Sequence, residues 1–232
     1  MGQTIYHSTD VHQRPGVSRK VAYDFLEEAE AKAGIYVDTG DNFDAVRYGW
    51  GAILGDDYCR KWRDRIQEVA DRGNLRIVLI EGNHDWGMGK RGILKPPVEV
   101  YRSLSIPYWP LTYFLTHGWV EYDLSLGWLR PIYGKLFKHL PQFAWIYDKI
   151  FNSPSKLPKG DSPSPYWKFV IHMNALAELD SIENNRVILW GHSHNRGMAD
   201  IEGHISGNAG TALEPDKYGL IWKDGKPEKW QH

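Results

Sequence analysis

Short apolar runs alternate with helical periodicity along the first third of the chain. Thr4 to His7 reads as a strand that ends in polar Ser8-Thr9-Asp10. From Ser18 to Ala33, the residues Val21, Phe25, Leu26 and Ala29 fall on one helical face. That spacing predicts a helix, capped by Ser18 and stopped by Gly34. Ile35-Tyr36-Val37 is a second strand, running into Asp38-Thr39-Gly40-Asp41. A second helix is predicted over Asp56 to Asp71, ended by Gly73. A third strand is predicted over Leu75 to Ile80, running into Glu81-Gly82-Asn83-His84-Asp85. The β-α-β-α-β order points to an α/β sheet with parallel neighbours.

Further along, Tyr113 to Thr116 reads as a strand before His117-Gly118. Tyr166 to Leu179 has a helical pattern. Val187 to Trp190 is a strand leading into Gly191-His192-Ser193-His194, and the tail from His204 to Trp222 holds two short strand candidates. The stretch from Trp119 to Pro165 has no strand pattern. It is rich in aromatics such as Trp128, Phe143 and Trp145, and in lysines. With no repeat and no linker, the expectation is one domain over residues 1–232, with 119–165 as a helical cap insert. Its aromatics would line a pocket for a nucleobase or acyl chain, form the cap's own core, or make an oligomer interface.

Composition narrows the chemistry. The net charge of -1 argues against a general electrostatic affinity for nucleic acid or anionic membrane. The single cysteine, Cys59, excludes an internal disulfide and a zinc site built from several thiolates. No apolar run is long enough to span a bilayer, and the first residues lack the basic start and apolar run of a signal peptide. The expectation is a soluble, cytoplasmic protein.

Five polar clusters follow five predicted strands: Asp10-Val11-His12, Gly40-Asp41-Asn42-Phe43-Asp44, Gly82-Asn83-His84-Asp85, His117-Gly118 and Gly191-His192-Ser193-His194. In open α/β sheets, ligands bind beyond the carboxyl ends of the strands, so the clusters should converge on one crevice. Their imidazole, carboxylate and amide donors suit Mn, Fe, Zn or Ni. Asp-x-His and His-x-His each put two donors on one side of an extended backbone. Glycine before Asp41, Asn83 and His192 allows a tight turn. Taken singly, Asp10, Asp41 and Asn83 read more readily as caps or turn residues than as ligands, and His117 could be a core histidine. Turn chemistry asks for nothing like the two histidines of Gly191-His192-Ser193-His194. Jointly, the clusters describe a metal centre.

In order and spacing, these clusters resemble the five motifs of the calcineurin-like metallophosphoesterase superfamily. The resemblance implies a four-layer α/β/β/α sandwich of two mixed sheets. It implies two divalent transition-metal ions, with Mn first among the choices, and a hydroxide attacking phosphorus. Asp10, His12 and His194 would bind the first ion; Asn83, His117 and His192 the second; and Asp41 would bridge them. His84 would give its proton to the leaving group, oriented by Asp85, with Asp44 a further candidate for orienting a histidine. Arg14, Arg19 and Lys20, and Lys90 and Arg91 after the third motif, are candidate contacts to a phosphate-ester substrate, and Asp44 is a candidate there too. Ala45 stands where serine/threonine phosphatases of the superfamily carry Arg-Gly. In outline the chain is similar to the UDP-diacylglucosamine pyrophosphohydrolase branch, on Tyr48-Gly49-Trp50 and Gly207-Asn208-Ala209-Gly210. It departs from that branch at His84, where Arg is usual, and at Trp119, where Asp is usual. The expected activity is hydrolysis of a phosphodiester, phosphomonoester or pyrophosphate. A nuclease and a non-catalytic scaffold are the alternatives.

Overall fold

The computed structural model describes residues 4–108, 111–118, 186–192, 194, 196–201 and 204–231. The expected cap insert and the helix expected over Tyr166 to Leu179 lie outside the described residues.

The first sheet contains β1 (Thr4–Ser8), β2 (Ile35–Asp38), β3 (Arg76–Ile80), β4 (Glu99–Tyr101), β10 (Leu220–Lys223) and β11 (Lys226–Lys229), in the order β11-β10-β1-β2-β3-β4. Strands β1 to β4 run parallel, and β10 and β11 are antiparallel additions. The second sheet has the order β5-β6-β7-β9-β8, from β5 (Ser103–Tyr108), β6 (Leu111–Thr116), β7 (Arg186–Trp190), β8 (Gly197–Ile201) and β9 (His204–Asn208). In it β6, β7 and β9 run parallel while β5 and β8 are antiparallel edges. Both sheets are therefore mixed, as expected.

Alternation along the strands builds two cores. Ile5, Ile35, Val37, Val78, Ile80 and Trp222 face the second sheet and meet Tyr113, Leu115, Val187 and Leu189. Tyr6, Tyr36, Ile77 and Leu79 face the helices α1 (Lys20–Ala31) and α4 (Asp57–Asp71). Removing a buried leucine such as Leu189 from such a core costs roughly 2–5 kcal/mol. In α4 the buried residues Cys59, Trp62, Ile66, Val69 and Ala70 recur every three or four positions. Asp56 caps the helix by accepting from the Cys59 amide at 3.0 Å. Trp62 then ties α4 to the loop after β2, donating from Nε1 to Asn42 Oδ1 at 2.6 Å.

The helix expected from Ser18 starts later. Its N-cap is Arg19, with no side-chain cap bond, so Ser18 is not the cap. Two short helices, α2 (Ala45–Tyr48) and α3 (Trp50–Gly55), occupy the segment between β2 and α4 that carried no helical period.

Candidate metal centre

Parallel strands end on one edge, and the loops that leave them lie side by side. The amides of Asp10, His12 and Gln13 donate to the carbonyls of Gly40, Asp41 and Asn42 at 2.9, 2.8 and 2.9 Å. The first two motifs are thus zipped together before any side chain acts. Asp10, His12, Asp41, His192 and His194 all have φ between 48° and 68°. This left-handed conformation costs a non-glycine residue of order 1–3 kcal/mol and persists only where the surroundings enforce it. Here it turns the donors of three loops toward one point.

One group of donors is formed by Asp10, His12 and His194. His194 Nε2 lies 3.3 Å from Asp10 Oδ1, His12 Nε2 lies 3.7 Å from the same oxygen, and the two imidazole nitrogens are 2.9 Å apart. The other group surrounds Asn83. Its Oδ1 lies 3.0 Å from His117 Nε2 and 2.7 Å from His192 Nδ1. Asp41 stands between them, its Oδ2 at 3.8 Å from His12 and 3.4 Å from His117. The structure thus brings together all seven residues expected to bind metal.

The surroundings prepare these groups to be ligands. His117 Nδ1 is 2.7 Å from the Thr39 carbonyl, which fixes the ring with its N–H there and Nε2 toward Asn83 and Asp41. Asp10 Oδ2 accepts from the His192 amide and the Thr9 hydroxyl, both at 2.9 Å. Its Oδ1 is buried and has no hydrogen-bond donor. A buried carboxylate oxygen without a donor, facing two imidazole nitrogens, is what a cation requires. Burial alone would raise the pKa of Asp10, but His194, His12 and His117 hold it well below the usual carboxylate range. Asp41 is held down in the same way, against burial, by His117 and His84. Burial pushes His12 down to about 4 and, with the charge of His117 behind it, His192 to about 3. Both are therefore neutral at physiological pH, the form that binds metal. Burial would lower His117 too, yet Asp41 raises it to about 10; without a cation it keeps the proton that ligation would displace.

The calcineurin-like phosphoesterase family model matches residues 3–196. The chain belongs to that family. The protein is accordingly a metal-dependent hydrolase of phosphate esters, and its candidate ligand groups fit the two-metal chemistry of the family. Yfce, a phosphoesterase from E. coli, is similar in structure at a TM-score of 0.52 and 16% identity, with 99% of this chain and 93% of that one covered. A novel archaeal phosphodiesterase is similar at a TM-score of 0.52 and 13% identity, covering 99% and 100%. At such identities these likenesses speak to the fold. No curated protein matches this sequence.

In this phosphoesterase, His84 lies beside the cluster, its Nε2 4.0 Å from Asp41 Oδ2. Its Nδ1 meets Asp44 Oδ1 at 2.7 Å, and that contact corrects the expectation that Asp85 orients it. Asp85 instead accepts from the Gly82 and Asn42 amides, each at 2.7 Å, and from Phe43 at 3.3 Å. It clasps two motif loops together, and burial, aided by Asp41, raises it to about 8. Asp44 is fully buried against His84 and Arg47, which removes it from the substrate contacts. Lys90 and Arg91 are exposed on the 3-10 turn Gly89–Arg91, where Arg91 lies over Trp50. Among the described residues, neither makes a hydrogen bond or ion pair with the cluster. Arg14 is half-buried in the loop after His12.

Two glycines owe their place to crowding rather than to turns. A Cβ on Gly82 would strike the Asp41 carboxylate and amide, and one on Gly191 would strike Thr9, His117 and Asp10. The end of β9 and the loop after it add support outside the five motifs. Asn208 Nδ2 donates to the Gly191 carbonyl at 2.9 Å, and Thr211 Oγ1 donates to the Asp10 carbonyl at 2.8 Å. Only the Gly207-Asn208-Ala209-Gly210 run hinted at it in the sequence.

Proposed function

We propose that this phosphoesterase hydrolyses the P–O bond of a small-molecule phosphodiester, phosphomonoester or pyrophosphate at a two-metal centre. The observation that carries the reading is Asp41, whose carboxylate lies between the two donor groups. Asp10, His12 and His194 would hold one ion, and Asn83, His117 and His192 the other, with Asp41 shared. Manganese suits these nitrogen and oxygen donors, and so do iron, zinc and nickel. Bound divalent ions supply a water of lowered pKa and neutralise charge building on the phosphoryl group.

The remaining work falls to the chain itself. His84 stands beside Asp41 with its Nε2 turned inward and its Nδ1 against Asp44. In that pose the imidazole gives its Nε2 proton to the departing oxygen, and Asp44 holds the tautomer and stabilises the cationic ring. Asp85 and Gly82 keep the third-motif loop against the second, so that Asn83 and His84 stay in register with Asp41.

Asp41→Asn tests it. Turnover of bis-p-nitrophenyl phosphate by the Mn-loaded variant should fall at least a hundredfold, with the circular dichroism spectrum retained; unchanged turnover would overturn the reading.

A further inference from the structure

The chain passes from the first sheet to the second in a single residue. Strand β4 ends at Tyr101 and β5 begins at Ser103, so Arg102 alone joins them. Strand register fixes where this happens. The Glu81 amide donates to the Tyr101 carbonyl at 2.7 Å, and Ser103 stands opposite Thr116 of β6. Arg102 is therefore flanked by the starts of two motif loops, Gly82-Asn83-His84-Asp85 on one side and His117-Gly118 on the other. Asn83 and His117, one from each loop, meet at 3.0 Å in the second donor group.

Arg102 is exposed, and its guanidinium lies over the ring of Trp86, 4.0 Å from the centroid. Trp86 follows Asp85 directly, so the loop that carries Asn83 and His84 also carries this ring. Stacking on an indole holds the plane of a guanidinium and leaves the N–H groups on its edge able to bind elsewhere. Among the described residues no acid takes them, and Arg102 has no hydrogen bond or ion pair there. The acids nearest in register are engaged. Glu99 pairs with Arg76 at 2.7 Å and accepts from the Tyr101 hydroxyl at 3.1 Å, and Glu81 Oε1 accepts from the Gly89 amide at 2.8 Å. A guanidinium held flat, with donors to spare, matches the oxygens of a phosphate.

We propose that Arg102, braced by Trp86, contacts the phosphate of the substrate and biases the site toward phosphomonoesters. This rests on the phosphoesterase reading above and adds a specificity-determining residue to it. A monoester carries close to two charges on three unsubstituted oxygens at neutral pH. A diester carries one charge on two. Only the monoester has a charged oxygen to spare for a cation that stands beyond the metal ligands.

The test compares Mn-loaded wild type, Arg102→Ala, Trp86→Ala and the double variant on p-nitrophenyl phosphate and on bis-p-nitrophenyl phosphate. Calorimetry measures the binding of inorganic phosphate to the same proteins. A pH of about 8 keeps the monoester doubly charged. Arg102→Ala should lower kcat/KM on the monoester about tenfold, the scale of one charge-assisted hydrogen bond, and weaken phosphate binding by a similar factor. On the diester the loss should stay within about threefold, as for an exposed charge without a direct contact. Trp86→Ala should reproduce part of the monoester loss and add nothing to it in the double variant. Metal content should be equal in all four proteins. Equal losses on both esters, an unchanged phosphate affinity or an additive Trp86 effect would overturn the inference and leave the phosphoesterase reading standing. Loss of metal from Arg102→Ala would also overturn it, because the residue would then serve the ligands. A wild type inactive on both esters would overturn the underlying reading, and the inference with it.

Discussion

His84 Nδ1 and Asp44 Oδ1 are 2.7 Å apart, and Asp44 is fully buried behind the imidazole. A buried carboxylate on one ring nitrogen sets which nitrogen faces the substrate. Asp44→Ala should therefore lower kcat on an aryl diester about 10- to 100-fold, the usual cost of losing such an outer partner. Asp44→Asn should lose less, because an amide oxygen can still accept from Nδ1. Bound metal, measured by inductively coupled plasma mass spectrometry, should be equal in all three proteins. A drop in metal content would mean that Asp44 serves the ligands rather than His84.

The proton donated by His84 matters only when the leaving oxygen needs it. His84→Gln should then cost little with p-nitrophenolate and far more with an alkyl alcohol of high pKa. The slope of log kcat against leaving-group pKa checks this, and it should steepen in the variant. Parallel slopes would deny His84 the role.

The glycines give a structural contrast. Gly191→Ala drives a methyl into Thr9, His117 and Asp10, so it should abolish metal retention and lower the melting temperature. Gly51→Ala places its methyl in open space within the helix α3. It should raise stability by about 0.5–1 kcal/mol through reduced unfolded-state entropy. Differential scanning fluorimetry with and without chelator checks both.

Asp38 predicts a pH dependence of stability. It accepts from Ser8 Oγ at 2.7 Å and from the Gly40 amide at 3.0 Å, and burial raises its pKa from 3.8 to about 7. In that interval the folded chain keeps a proton that the unfolded chain has lost. Its contribution is full below pH 3.8 and declines as pH rises toward 7, by on the order of 4 kcal/mol. Asp38→Asn keeps the acceptor for Gly40 and cannot titrate. In chelator, urea unfolding of the variant should therefore gain on wild type as pH rises from 4 to 7. A constant difference would contradict the assignment.

What the sequence makes legible follows from locality. Asp10, Asp41, Asn83, His117 and His192 each follow a strand whose apolar run is visible, and parallel strands end on one edge, so convergence can be read before any fold is known. The helix predicted from Asp56 begins one residue later, with Asp56 as its cap. Ser18 misled because α1 begins one residue later: the carbonyl that accepts the first amides of the helix, those of Ala22 and Tyr23, is that of Arg19. The short helices α2 and α3 have too few residues to show a period. The switch from Asp85 to Asp44 as the partner of His84 is a matter of tertiary geometry. Asp85 is adjacent in sequence but its carboxylate turns back to Gly82 and Asn42, and Asp44 arrives from another loop.

The most direct test of the two-metal account is a Mn(II) titration of chelator-stripped protein, read both as bound metal and as bis-p-nitrophenyl phosphate hydrolysis. The account predicts activity that rises to a plateau at two ions per chain, and an Asp41→Asn protein that binds fewer ions and stays inactive at any concentration. Full activity in chelator, or a plateau at one ion per chain, would contradict it.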